Sequence, residues 1–587
     1  MKIFSKNHAA LLEEREEIII VDKMTHKEQS HLGKLLLFII ILIISLTCLH
    51  FNKTQSYNNY ERVQFKSAGA VLYANLYYPS KTITFQNKSP LIIYCHGIGS
   101  KRDFDLRFPI ELTKRGFYLV ALDYQGHGES GGNINNIDPI TGIPALAQDC
   151  SKLLDKLETM PFYSEIDTNQ IGLLGHSLGG MVVLMNQALD SRFNVTVGLA
   201  PLINFEPPRF GFVYNRNFLN YIPANLLNEK NTHNLLVIHH VNDEILDYTE
   251  NALKVQKLTN CTLIPVKGFL IGGAHQLYSD KVLIKTINWF EQHFFDSKTL
   301  NGPIYITFYW NYILIIFNIS LLILTVICLI TVSCSIFFKE ERKFEMSASQ
   351  DYSLLIPSFD KKKQILKIPV SIGLFVLNWV IFERIFGLIG IIYASLNMIF
   401  IYTLIKLILY IKKHENEINK VSISNVIKDQ LKLKYIIFTL ISAVYFIAIY
   451  MIFSFYYPFS FIWPSNFVVH FALGYLIFPV FLSIEIFFRK ILYPQLSFLK
   501  SKGSKTKVFI TIMVLVLIVL MFLTKKLSYF PSLLFTYLIL AIVIILNEKL
   551  FENMKIFYPV VIISFSIVQI FFAAVISNAI GISLSLK

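Results

Sequence analysis

From about residue 303 to Lys587 the sequence is a succession of apolar runs broken by short loops rich in lysine. The runs fall near 308–337, 367–383, 386–411, 435–457, 466–488, 508–524, 530–546 and 556–580. Several approach the roughly 20 residues that a helix needs to cross a bilayer. A water-soluble globule has no way to hide so many uninterrupted apolar segments. Residues 303–587 are therefore expected to form a multi-span helical membrane domain of about eight spans. The stretch 367–411 reads equally as one hairpin or a re-entrant segment. Composition agrees: 54% of the 587 residues are hydrophobic and only 16% charged, with a mean hydropathy of +0.50.

One further apolar run lies near the start, within "KLLLFIIILIISLTCLHF" (Lys34–Phe51), after a charged tail over 1–34. A cleaved signal peptide has a short basic start and a small-residue cleavage site. Here the leading segment is long and mixed in charge, and no such site follows. The reading favours an uncleaved transmembrane anchor over 35–51.

The net charge of +14 sits mainly in loops between apolar runs, at 339–367 (with "KKK" at 361–363), 412–434 and 489–507. With the N-terminus inside, all three loops are cytoplasmic, while the charge-free "YYPFSFIWPSN" (Tyr456–Asn466) is outside. The same rule places 57–297 on the outer face of the cell membrane. No basic stripe with interleaved aromatics points to nucleic acid. Of six cysteines, Cys95, Cys150 and Cys261 fall in this polar part, without C-x-x-C spacing. Neither a disulfide framework nor a metal site follows.

Between residues 57 and 297 the pattern changes to strand and helix in alternation. "PLIIYCHG" (90–97) is a short apolar run ending at glycine, and "FDLRFPIELTKRG" (104–116) reads as a helix despite Pro109. "FYLVALDYQGHGES" (117–130) is a second strand, "ALAQDCSKLLDKLETM" (145–160) has helical spacing, and "QIGLLGHS" (170–177) is a third strand. Strands buried on both faces belong to parallel α/β sheets. The expected class is α/β, with a mostly parallel central sheet and a polytopic helical membrane domain appended.

"GHSLG" (175–179) fits G-x-S-x-G, with a strand before it and the helical "LGGMVVLMNQAL" after it. That is the setting of a nucleophile elbow, in which a sharp strand-to-helix turn holds Ser177 out at the top of the sheet. A serine hydroxyl needs a base, and the base an orienting acid, in the order Ser, Asp or Glu, His. "NLLVIHHVNDEIL" puts Asp243 just past a strand end, and "IPVKGFLIGGAHQLYS" puts His275 in the loop after the next strand. An oxyanion needs two backbone N–H donors. Leu178 follows the nucleophile, and Ile98 lies in "YCHGIGS" after the first strand. A helix is expected to begin near Ser279.

Taken together, 90–290 resembles the α/β-hydrolase superfamily. "HGIGSKRDFDLRFPIELTKRGFYLVALDYQGHGESGG" is similar to the opening of its serine aminopeptidase, monoacylglycerol lipase and dienelactone hydrolase-like branches. The resemblance implies Ser177 as nucleophile, Asp243 as acid, His275 as base, and Ile98 with Leu178 as the oxyanion hole. Acid loops of such enzymes often read Gly-x-x-Asp. "HHVNDE" departs from that, so Glu244 and Asp247 stay as weaker candidates. His176 is expected to fill the elbow, and His96 and His127 to hold loop backbone. His239 and His240 straddle a strand end, and neither needs a function. The Pro-, Phe- and Tyr-rich segment 205–233 either lines an apolar acyl pocket or packs over the sheet edge.

"SIEIFFRKILYPQL" (483–496) is similar to the E-E-x-x-x-R signature of intramembrane metalloproteases that process prenylated proteins. Ile484 stands where the first Glu should be, and no histidine follows His470, so that metal site cannot be built. Glu485 and Arg489 are read as an ion pair on one helix face. The expectation is a multi-pass, membrane-bound serine hydrolase acting on a lipid-like ester or thioester, without metal or organic cofactor. The alternatives are a serine peptidase and, from another class, a non-catalytic ligand-binding or transport-associated protein.

Overall fold

The computed structural model describes residues 29–51, 57–80, 88–103, 105–268, 270, 273–295, 303–338, 433–456 and 511. Helix α1 (Gln29–Phe51) comes first. An antiparallel pair follows, β1 (Tyr57–Ser67) and β2 (Ala70–Pro79). The turn between them is Ala68–Gly69, both at positive φ, as a tight hairpin requires. β1 does not stand out as an apolar run, because it is the sheet edge and carries Glu61, Arg62 and Lys66, whereas β2 has no charged residue.

The alternating part then runs β3 (Ser89–Cys95), α2 (Arg107–Thr113), β4 (Tyr118–Asp123), α3 (Asp149–Leu157), β5 (Ile166–His176), α4 (Leu178–Leu189) and β6 (Val195–Leu199). It continues with α5 (Arg216–Tyr221), α6 (Pro223–Leu226), β7 (Leu235–His240), α7 (Lys254–Thr259), β8 (Thr262–Val266) and α8 (Asp280–Phe294). All eight strands join one sheet in the order β1-β2-β4-β3-β5-β6-β7-β8. The β1–β2 and β2–β4 pairings are antiparallel and the other five parallel. This is the α/β-hydrolase fold with a mostly parallel sheet. Pro109 fits α2 because it is the third residue, where no intrahelical N–H bond is needed.

Each central strand is buried on both faces, and its side chains alternate between two cores. Leu91, Ile93 and Cys95 of β3 face one core with α3, α4 and the 205–222 segment. Ile92 and Tyr94 face the other, with Phe108 and Leu112 of α2 and Leu283, Ile287 and Phe290 of α8.

Among the described residues, α1 is long and apolar enough to cross a membrane, with 23 residues at hydropathy 2.7. Two more apolar helices, α9 (Phe308–Phe337) and α10 (Leu433–Tyr456), stand where spans are expected near 308–337 and 435–457. They pack together through Phe338, stacked on Tyr435 at 5.2 Å and edge-on to Phe438. Leu49 of α1 and Phe308 and Leu322 of α9 join the second core, so both helices lie on the α2/α8 side of the sheet. The other expected spans, and the Glu485–Arg489 string, fall outside the described residues.

Candidate active site

The elbow forms where β5 runs into α4. Ser177 sits between them at φ 55°, ψ −117°, a region that costs a non-glycine residue about 1–3 kcal/mol. The surroundings hold it there. Ser177 N–H donates to Leu199 O at 2.9 Å, and Ser177 O accepts from the N–H groups of Leu202 and Met181 at 3.0 and 3.2 Å. The motif glycines are dictated by contact. A Cβ at Gly175 would strike the Gly179 carbonyl, and one at Gly179 would strike the carbonyls of Cys95 and His96 at the end of β3.

The three candidate side chains meet. His275 Nε2 lies 2.9 Å from Ser177 Oγ, and His275 Nδ1 lies 2.8 Å from Asp243 Oδ2. Asp243 Oδ1 accepts the N–H groups of Ile245 and Leu246 at 2.8 and 2.9 Å. Burial alone would raise this carboxyl, but the His275 hydrogen bond and the two amides outweigh it and hold it below its usual range. An ionised acid fixes the tautomer with Nδ1–H toward Asp243, which leaves the Nε2 lone pair for the serine proton.

The two weaker acid candidates have other work. Glu244 Oε2 accepts the backbone N–H of His275 at 3.1 Å. Asp247 Oδ1 accepts the N–H groups of Thr249 and Glu250, both at 2.9 Å, at the head of the next helical turn.

Gly97 lies against the nucleophile: a Cβ built there would come within 3.4 Å of Ser177 Cβ and 2.9 Å of His176 Nδ1. Ile98 is the next residue, partly exposed in a turn closed by Ser100 N–H donating to Gly97 O. Leu178 is buried at the first position of α4. The Tyr124 hydroxyl donates to His96 O at 2.8 Å, which ties down the start of the Gly97–Ile98 turn.

The other histidines divide. His96 and His127 lie within hydrogen-bond distance of Gly97 O and Gln125 O through Nδ1, as loop-holding residues should. His176 fills the elbow and does more: its Nε2–H donates to His275 O at 2.9 Å. Burial, then the neighbouring His275, pushes His176 down to about 3, so it is neutral at working pH.

Sequence reasoning missed two groups. His239, fully buried, lies 3.7 Å from Asp243 Oδ2 through its Nε2, beyond hydrogen-bond reach but against the acid. Its position four residues before Asp243 was the available signal. The second group is the buried ion pair of Asp105 and Arg107. Arg107 Nη2 donates to Asp105 at 2.6 Å and Nη1 donates to Leu277 O at 3.2 Å, two residues past His275. No local pattern announces a contact across 170 residues of chain.

Fold and constellation together define the class as an α/β-hydrolase domain carrying a Ser–His–Asp arrangement. Residues 86–276 match the family model described as serine aminopeptidase, S33. An Escherichia coli protein named "Uncharacterized 31.7 kDa protein in traX-finO intergenic region" is 36% identical over 112 residues, covering 19% of this chain and 36% of that protein. A platelet-activating factor acetylhydrolase of Cavia porcellus is 25% identical over 173 residues, covering 22% of this chain and 40% of that protein. Quorum-quenching protein AidA of Acinetobacter baumannii is 27% identical over 140 residues, covering 24% and 43%. The chain thus spans well under half the length of these relatives. Among solved structures, Est1E of Butyrivibrio proteoclasticus with ferulic acid is 18% identical at TM-score 0.32, covering 40% of this chain and 99% of that one. The acylaminoacyl peptidase of Pyrococcus horikoshii is also 18% identical at TM-score 0.32, covering 43% and 44%.

Proposed function

We propose that this chain is a membrane-bound serine hydrolase that cleaves an ester or thioester with an apolar acyl group through an acyl-enzyme. The observation that carries the reading is the unbroken hydrogen-bonded line Ser177–His275–Asp243, at 2.9 and 2.8 Å.

His275 Nε2 takes the Ser177 proton as Oγ adds to the acyl carbonyl. The resulting oxyanion is held by the backbone N–H groups of Ile98 and Leu178, and Asp243 stabilises the imidazolium. Collapse expels the leaving group, which receives the proton from His275. Water, deprotonated by the same Nε2, then attacks the acyl carbon and frees Ser177. No step calls for a metal or an organic cofactor.

The apolar acyl preference rests on the 205–222 segment. Phe212 stacks on Phe218 at 4.7 Å, and both share a core cluster with Ile134, Leu246, and the Leu178 and Leu202 that flank the nucleophile. The membrane assignment rests on α1, on α9 and α10, and on the apolar runs that follow in the sequence. The basic loops favour a multi-pass topology with the hydrolase domain extracytoplasmic. A peptidase is the second reading, favoured by the serine aminopeptidase family model.

The test is hydrolysis by the solubilised full chain of acyl esters and thioesters of graded chain length, beside aminoacyl and peptide amides. Rates that rise with acyl length on the esters support the proposal. Turnover confined to the amides would transfer the assignment to the peptidase.

A further inference from the structure

Helix α2 is tied at each end to a different part of the molecule. At its start, the Arg107 guanidinium is paired with Asp105, donates to Leu277 O at 3.2 Å, and lies 4.1 Å from the centre of the Tyr278 ring. Leu277 and Tyr278 are the second and third residues after His275, and Leu277 is held at φ 52°, a conformation that favours glycine. From the other side, His176 donates to His275 O. The histidine turn is thus clamped between the elbow and a buried cation.

One helical turn further along α2, Glu111 reaches away from the site. Its Oε1 accepts the backbone N–H groups of Thr307 and Phe308 at 2.7 and 2.6 Å, and the Thr307 hydroxyl at 3.3 Å. Thr307 is the N-cap of α9 and Phe308 its first residue. Lys114 pairs with Glu111 and also donates to Thr307 Oγ1 at 3.0 Å. Glu111 is fully buried, so its carboxylate depends on these donors and cannot trade them for water. A negative group at the head of a 30-residue helix is also where the helix dipole favours it. Phe308 of α9 also shares the second core with Leu283, Ile287 and Phe290 of α8, the helix that follows the histidine turn. The first turn of α9 therefore touches both elements that bracket the histidine turn.

We propose that α2 couples the membrane-side helix α9 to the catalytic histidine, with Glu111 and Arg107 as positioning residues at its two ends. A change in how α9 is seated displaces Glu111, α2 moves with it, and Arg107 releases or tightens the strained Leu277 turn that aims His275 at Ser177. This rests on the proposed hydrolase function for its catalytic consequence, whereas the mechanical link is readable without activity.

The experiment is hydrogen exchange on the solubilised full chain, with the rate of Ser177 labelling by a fluorophosphonate measured alongside. Glu111→Gln and Arg107→Lys are compared with wild type, and with Trp310→Ala on the exposed side of α9. Both positioning variants should speed exchange over 273–280 about fivefold while β5 and β6 keep their protection. They should also slow the labelling step about tenfold without weakening the initial binding of the probe. Trp310→Ala should do neither. Wild-type exchange over 273–280 in Glu111→Gln would overturn the proposal. If Glu111→Gln loses protection in β5 and β6, Glu111→Asp, which keeps the charge, carries the same test. A wild type that never labels would end the hydrolase reading, and the exchange data would still decide the coupling.

Discussion

His275 Nε2 stands 2.9 Å from Ser177 Oγ across 98 residues of sequence. The sheet makes that contact. Ser177 leaves the C-terminal end of β5, Asp243 follows β7 and His275 follows β8, and all three strands are parallel. Their ends lie on one edge of the sheet, where loops from different strands converge.

The identity of the acid follows from who faces the imidazole. Asp243→Asn is expected to lower kcat about 10⁴-fold, because an amide no longer holds the tautomer that leaves Nε2 free. Glu244→Gln and Asp247→Asn touch only backbone N–H groups and should stay within about threefold. Steady-state kinetics on any accepted ester checks this. A Glu244→Gln loss as deep as that of Asp243→Asn would reassign the acid.

Gly179 is required by close approach and not by its φ. Gly179→Ala drives a Cβ into the Cys95 and His96 carbonyls, an overpacking that costs about 1–3 kcal/mol. It also pushes away the β3 end that leads into Gly97–Ile98. Thermal melting should fall, and acylation should slow by more than the loss of folded protein explains. Gly142→Ala, at a positive φ with open space around it, should lower the melting temperature without touching acylation per folded molecule.

Three of the buried groups show how stability changes with acid. Burial, followed by a neighbouring imidazole, holds His127 and His176 down at about 3 against 6.5. Burial also holds Asp149 up at about 6 against 3.8. Between pH 6 and pH 4 the unfolded chain therefore carries both imidazole protons, which the folded chain lacks. The folded chain in turn carries one carboxyl proton that the unfolded chain lacks. Over these three groups the net is about one proton more on the unfolded chain, and His239, also held down by burial, adds in the same direction, so stability falls by at least about 1.4 kcal/mol per unit as pH drops. The histidine contribution is complete above 6.5 and is lost toward 3. Melting temperatures recorded from pH 7 down to pH 4 should fall throughout. A flat or rising series would contradict the burial of these histidines.

The parts of this site legible in the sequence are those that local chemistry dictates. G-x-S-x-G, a strand before it and a helix after it leave little choice about the turn at Ser177. Apolar runs ending in polar loops place His275 by order alone and narrow the acid to Asp243, Glu244 or Asp247, among which only the geometry at His275 chooses. What escapes is set by tertiary contact. The edge strand β1, with Glu61, Arg62 and Lys66, carries too much charge to read as a buried strand. Arg107 in "DLRFP" reads as a surface cation until the fold lays the Leu277 carbonyl beside it. Glu111 likewise reads as an ordinary polar residue on a helix, and only the packing of α9 onto α2 makes it a buried cap. His239 lies four residues before Asp243, a spacing that becomes a contact only when the fold aims it at the acid.

The most direct test of the central claim is fluorophosphonate labelling of the solubilised full chain, wild type beside Ser177→Ala. The geometry predicts covalent labelling of the wild type at Ser177, none in Ser177→Ala, and protection of the wild type by a competing ester. A folded wild type that does not label would contradict an activated serine. The domain would then stand as a ligand-binding module.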